Sequence, residues 1–245
     1  MIEIHNLDLR NKTILEVGTG RGGTTLELIE LLKKFPSAKL ITSDIIDVKE
    51  ELMQFCQGFM NVQNRITFIQ SDATDLNSIP NESIDIIIVN YTLCAINSII
   101  GKLTIAINRF FHLLKPGGIL LIEEEYPIKS AKTENQFIWA DKWRMLKTAL
   151  ISSGNLPFNE IHPDQLTQIL SLFNFIEIER EDGLNMLHHS EILPLFEHQI
   201  SGNISSNGDS YLEKGLLKWA GKIKKKIEKL EFMEIPYYRL SAKKT

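Results

Sequence analysis

The sequence predicts an α/β fold built on a doubly wound, mostly parallel sheet, and three observations carry that expectation. Short apolar runs alternate with helical patterns through the first half of the chain. One run, Ile84-Asp-Ile-Ile-Ile-Val89, is almost wholly apolar, the composition of a central strand covered on both faces. A glycine-rich segment, residues 18–23, separates the first strand candidate from the first helix. Five β/α repeats joined by short links wind into a parallel sheet with helices on both sides.

Each element has its own signal. Residues 13–17 (TILEV) form a short apolar strand, and residues 24–34 a helix with Leu26, Leu28, Ile29, Leu31 and Leu32, stopped by Pro36. Residues 39–43 make the second strand, ending at Asp44. A helix is expected over 48–58 and a third strand over 66–70, ending at Asp72. After the strand at 84–89 comes a helix over 99–114, closed by the turn Lys115-Pro-Gly-Gly118, and a fifth strand over 119–124. Residues 135–151 and 163–173 read as helices and 175–180 as an alternating strand. Residues 184–210 read as irregular, 211–230 as an amphipathic helix and 236–243 as a last strand.

With 245 residues, 43% hydrophobic and 24% charged, the chain can bury a sizeable core. A single domain over 1–245 is expected, with insertions rather than a second domain. A net charge of −4 argues against a surface built throughout for nucleic acid. The lysines at 222, 224, 225, 226 and 229 read as the solvated face of the 211–230 helix. No stretch approaches a membrane span or a secretory leader, so a cytoplasmic, reducing setting is expected. Cys56 and Cys94 lie apart in apolar surroundings and read as core residues, with no disulfide or metal site.

The chemistry concentrates at strand ends. Gly18, Gly20 and Gly23 satisfy GxGxxG, while Gly18, Gly20 and Gly22 satisfy GxGxG, so the loop alone leaves its ligand open. Glu16 at the end of the first strand would repel a pyrophosphate and suits a cofactor with a cationic amine or sulfonium. Asp44 is placed to accept from two ribose hydroxyls, a role that a dinucleotide also offers. Asp72 adds a third carboxylate to the same rim.

Together these segments resemble the motif series of the class I S-adenosylmethionine-dependent methyltransferases. ILEVGTGRG resembles the first motif, with Gly18, Gly20 and Gly22 in the loop and Glu16 near the methionine portion. ITSDIID resembles the second, which makes Asp44 the ribose ligand with Ile45 beside it. IQSDATD resembles the third, with Asp72 and Ala73 holding adenine. IDIIIVNYTLCAI resembles the fourth, with Asn90 and Tyr91 near the transferable methyl, and LLKPGGILLIEEE resembles the turn and strand that follow. The resemblance implies a seven-stranded sheet whose last strand is antiparallel, covering roughly residues 12–180 and the final strand.

The chain departs from the family at several points. Cys94 stands where many small-molecule members have a histidine, and VNYT is not the NPPY or DPPY of amino-group methyltransferases acting on nucleobases or glutamine. About a dozen residues precede the first strand, so lids are expected from insertions at about 126–162 and 184–230, or from a partner subunit in a homodimer. The resemblance implies methyl transfer to an acceptor, expected to be a small molecule, and Tyr91, Glu124 and Tyr126, near the carboxyl ends of their strands, are the pocket candidates. Glu123, Glu124 and Glu125 otherwise read as a solvated rim, and Trp139 and Trp143 as packing. A protein or RNA acceptor and a non-catalytic cofactor-binding member are the alternatives.

Overall fold

The computed structural model describes residues 4–56, 62–204 and 210–245. Seven strands form one sheet in the order β3-β2-β1-β4-β5-β7-β6, with the last strand antiparallel. β1 (Thr13–Val17), β2 (Lys39–Asp44), β3 (Ile66–Gln70), β4 (Ile84–Asn90) and β5 (Leu114–Glu125) pair in parallel. β6 is Phe175–His188 and β7 is Phe232–Lys244. The chain divides into two compact units, and β6 and β7 contribute residues to both.

The first unit is Met1–Glu124, Pro163–Glu181 and Arg239–Thr245. Its helices are α1 (Gly23–Lys34), α2 (Lys49–Cys56), the single-turn α3 (Leu93–Ile96), α4 (Lys102–Leu113) and α6 (Pro163–Leu172). Leu28, Ile29, Leu31 and Leu32 of α1 are buried against Ile14, Ile86, Ile88 and Leu121 of the sheet. Alternation along the strands decides this face, since Ile86, Ile88 and Asn90 point one way and Ile87 and Val89 the other.

The second unit is Glu125–His162 and Asp182–Tyr238. Here α5 (Glu134–Ser152), α7 (His189–Ile204) and α8 (Ser210–Ile227) pack on one another around Trp139, Met145, Phe196, Ile223 and Met233. Both indoles serve a polar purpose as well as packing. Trp139 and Trp143 each donate their N–H to Glu125 Oε2, at 3.0 and 2.9 Å. Desolvation raises the pKa of Glu125 and lowers that of Lys142, whose Nζ lies 4.4 Å from the Trp143 ring centroid. On α8, Lys224 pairs with Glu197 and Lys226 with Asp141.

Several sequence expectations are corrected. Residues 184–204 are not irregular: β6 runs on to His188 and α7 follows. Ile192, Phe196, Ile200 and Ile204 recur every fourth residue and form a helical stripe, which Pro194 obscures. The remainder of that segment, 205–209, lies outside the described residues. Lys115–Gly118 is a bulge inside β5, because the register passes from Ile84↔Leu114 to Ile86↔Ile119. The helix expected from residue 99 begins at Lys102, after a separate turn at α3. Cys94 is partly exposed at that turn, its Sγ 3.7 Å from the Tyr91 carbonyl oxygen. The Cys56 side chain lies outside the described residues.

Candidate functional site

A cavity of about 440 Å³ opens at the carboxyl ends of β1, β2, β3 and β4, where open α/β sheets hold their ligands. Its glycine loop is fastened by β2. The Gly18 N–H donates to the Ser43 carbonyl at 2.8 Å, and the Gly20 N–H donates to Asp44 Oδ2 at 2.8 Å. Gly18 has φ +85°, and a Cβ there would lie 1.9 Å from Thr92 Oγ1, so the loop and the start of α3 approach as closely as backbone allows. Gly20 also has positive φ, +51°, yet a Cβ there would meet nothing within 4 Å. That space belongs to the cavity.

Asp44 is doubly held, accepting from Gly20 and from the Ile46 N–H at 3.2 Å. Asp72 accepts from the Thr74 N–H at 2.9 Å, from its hydroxyl at 2.7 Å, and from Lys102 Nζ. Burial works against the Asp72 carboxylate, but Lys102 and Thr74 outweigh it and bring its pKa down to about 2. Lys102 lines the cavity and was not expected from the sequence. The only signal was its position after Gly101 at the start of a helix.

Eight of the ten cofactor candidates line this cavity: Gly18, Gly20, Asp44, Ile45, Asp72, Ala73, Asn90 and Tyr91. Gly22 does not; it faces Leu52, whose Cδ2 would be 2.6 Å from a Cβ. Glu16 does not either. It is 1% exposed and accepts from Thr25 at 2.7 Å and from Thr42 at 2.5 Å. Because Thr42 spends its only proton on Glu16, the 2.6 Å contact between the Thr19 and Thr42 hydroxyls has Thr19 as donor. Thr19 lines the cavity, so a hydroxyl relay joins Glu16 to it. Burial raises the Glu16 pKa to about 7, against the lowering by Thr42 and Thr25 and with the help of Asp44. Its other oxygen, Oε1, is buried without a partner among the described residues. The full negative charge assumed from sequence is therefore present only above neutral pH.

The pocket candidates separate. Tyr91 lines the cavity at φ +52°, a strained value for a residue with a side chain, and donates its hydroxyl to Glu123 Oε1 at 2.5 Å. Glu123 also receives the Arg239 guanidinium. Glu124 is 2% exposed and caps α3, accepting from the Leu93 N–H at 2.5 Å and more weakly from that of Cys94 at 3.4 Å. It does not line this cavity and is buried rather than part of a solvated rim. Tyr126 belongs to the second unit, where its hydroxyl donates to Asp182 at 2.7 Å and its ring packs edge-on to Tyr238 and His162.

Among the described residues no group of three or more His, Cys, Asp or Glu side chains is placed to hold a metal, and no helix is long and apolar enough to cross a membrane.

A family model described as a methyltransferase domain matches residues 8–174. The chain belongs to that methyltransferase domain family. The match takes in every residue of the cavity, from Val17 to Lys102. Among curated relatives, tRNA N(3)-cytidine methyltransferase METTL2 of Bos taurus is 33% identical over 113 residues, 45% of this chain and 29% of that protein. Demethylmenaquinone methyltransferase of Porphyromonas gingivalis is 30% identical over 115 residues, 46% of this chain and 43% of that protein. The matches thus span less than half of either relative. Among solved structures, the YcgJ protein of Bacillus subtilis superposes with a TM-score of 0.61 at 14% identity, covering 98% of this chain and 94% of that one. Phosphoethanolamine N-methyltransferase 2 of Haemonchus contortus, solved with phosphomonomethylethanolamine and S-adenosylhomocysteine, gives 0.57 at 15% identity over 98% and 50%. At these identities the superpositions establish a shared methyltransferase fold.

Proposed function

We propose that this methyltransferase domain binds S-adenosylmethionine in the 440 Å³ cavity and transfers its methyl group to a small-molecule acceptor. The observation that carries the reading is the chemistry of the cavity wall. Asp44 and Asp72 line it, and Glu16 joins it through Thr42 and Thr19. With Asp72 paired to Lys102 and Glu16 buried, Asp44 is the carboxylate that most directly disfavours a pyrophosphate, and the wall suits a cofactor whose charges are an amine and a sulfonium. The volume falls in the range of sites for cofactor-sized ligands, and the open space over Gly20 leaves room for a ligand against the backbone. Asp44 would hold the ribose hydroxyls, Ala73 and its neighbours the adenine, and Asn90 and Tyr91 the end that carries the methyl.

When bound, the cofactor supplies an already activated methyl group. What the chain supplies is alignment and exclusion of water, a contribution that reaches about 7–11 kcal/mol for well-oriented reactants. The hydrogen bonds from Gly20 and Ile46 hold Asp44 rigid before any ligand arrives. Tyr91, fixed at positive φ and by Glu123, keeps the β4 end of the cavity in one shape.

Calorimetric titration with S-adenosylmethionine, S-adenosylhomocysteine and NAD tests this. Micromolar binding of both adenosyl compounds, weakened at least tenfold by Asp44→Ala and absent for NAD, is the expected result. Binding of NAD alone would replace the reading with a dinucleotide enzyme. A second reading, an RNA acceptor, draws on the lysines of α8 and on the tRNA methyltransferase relative. A gel shift with a tRNA transcript separates the two.

A further inference from the structure

A second cavity, of about 150 Å³, lies on the α1 face of the sheet in the same unit. Asn90 is a wall of both cavities. Its amide Nδ2 donates to Thr24 Oγ1 at 3.2 Å, and Thr24 belongs to the larger cavity. Glu27, one turn along α1 from Thr24, belongs to the smaller one. Register pairs Asn90 with Glu123 across β4 and β5, so their side chains stand beside each other on that face. Beneath them the floor is apolar, made of Ile88, Leu121 and Leu240.

Resting on the cofactor reading above, we infer that this second cavity seats the methyl acceptor, and that the acceptor presents an amine nitrogen. The polar wall is rich in hydrogen-bond acceptors. With one Nδ2 hydrogen given to Thr24, Asn90 keeps its Oδ1 as an acceptor for a donor on the ligand. The Glu123 carboxylate is paired with Arg239, which leaves Glu27 as the second carboxylate of the lining. With Arg239 engaged by Glu123, a wall that offers the Asn90 amide oxygen and the Glu27 carboxylate favours a donor over an anion and leaves its oxygens unpaired against a pure hydrocarbon. It receives an amine. Cavities of this volume hold a benzene-sized group, so the part of the acceptor enclosed here is small and compact.

The step balances without a further reagent. An amine enters as the ammonium, drawn by Glu27, and gives one proton to solvent at the exposed mouth. The nitrogen lone pair then forms the N–C bond as the C–S bond breaks, the pair from that bond passing to sulfur. The N-methylammonium product carries the charge that the sulfonium has lost. Asn90, which lines both cavities, would accept one N–H of the amine at Oδ1 and leave the lone pair free for the methyl carbon where the two cavities meet.

The test uses the whole chain loaded with S-adenosylhomocysteine and three probes of equal size: benzylamine, benzyl alcohol and benzoate. Benzylamine is expected to shift the Asn90 side-chain amide resonance and to bind at least tenfold more tightly than the other two. With S-adenosylmethionine it is expected to give N-methylbenzylamine, detected by mass. Glu27→Gln is expected to raise KM for benzylamine about tenfold while leaving the Kd for S-adenosylhomocysteine within twofold. Tighter binding of benzoate or benzyl alcohol, no binding of any probe to the loaded protein, or an unchanged KM in Glu27→Gln would each overturn the inference. Failure of S-adenosylhomocysteine itself to bind would instead remove the cofactor reading on which the inference stands.

Discussion

Thr92 stands over Gly18 so closely that a methyl group on Gly18 would lie 1.9 Å from its hydroxyl oxygen. The contact joins the first glycine of the β1–α1 loop to the residue just before α3, 74 positions later in numbering (92 − 18). Gly18→Ala is therefore expected to be severe, combining overlap with a positive φ, at a cost of at least about 2 kcal/mol. Gly20→Ala meets open space and bears only its φ, about 1 kcal/mol, but places a methyl inside the cavity. Thermal melting and adenosyl-ligand titration of both variants check this. Gly18→Ala should lower the melting temperature the more, whereas Gly20→Ala should weaken binding out of proportion to its stability.

Glu16 links stability to pH. Its folded pKa of about 7 exceeds the ordinary 4.5, so the folded state binds the proton more tightly than the unfolded chain does. The stabilisation is fully present below pH 4.5 and is lost as pH rises through 7. At roughly 1.36 kcal/mol per unit the loss is about 3 kcal/mol. Denaturant midpoints of wild type and Glu16→Gln between pH 4.5 and 7.5 should diverge accordingly, with the variant relatively more stable at the alkaline end.

Asp72 behaves in the opposite sense. Its pKa is depressed to about 2 despite burial, through Lys102 and Thr74, so its contribution is present above pH 4 and lost as pH falls through 2. In Lys102→Met, carboxyl resonances followed by NMR should show Asp72 titrating closer to the ordinary carboxylate value. An unchanged titration would mean that Thr74 alone holds it down.

Glu124 caps α3 from a different strand. Glu124→Ala should cost about 1–2 kcal/mol, the value of a lost cap with a buried donor left unmade, and should show as faster amide exchange at Leu93 and Cys94. Glu124→Gln keeps an acceptor oxygen and should recover most of the loss.

The parallel strands and the glycine loop were legible because they are local: an apolar run, a loop and a helix period lie within about thirty residues. The carboxylates were not. Glu123, Glu124 and Glu125 are consecutive and chemically alike, yet one bridges Tyr91 and Arg239, one caps α3 and one receives two indoles. Strand alternation and partners far along the chain assign those fates, and neither is written in the tripeptide. Glu16 is similar, because the hydroxyls that enclose it come from Thr25 and Thr42. α7 was hidden by Pro194, which reads as a breaker although the four-residue stripe on either side of it holds the helix.

The place of β7 between β5 and β6 bears on how the nascent chain matures. β5 ends at Glu125 and β7 begins at Phe232, so 107 residues (232 − 125) must be added before β5 gains its outer neighbour. At a synthesis rate of roughly 5–20 residues per second that interval is about 5–20 seconds. Throughout it the β5 edge presents unpaired amides and carbonyls on the ribosome, the kind of edge that invites a wrong partner. Insertion of β7 ends that interval, and a stalled or truncated message that stops before residue 232 would leave a chain with every residue that lines the 440 Å³ cavity but an open sheet.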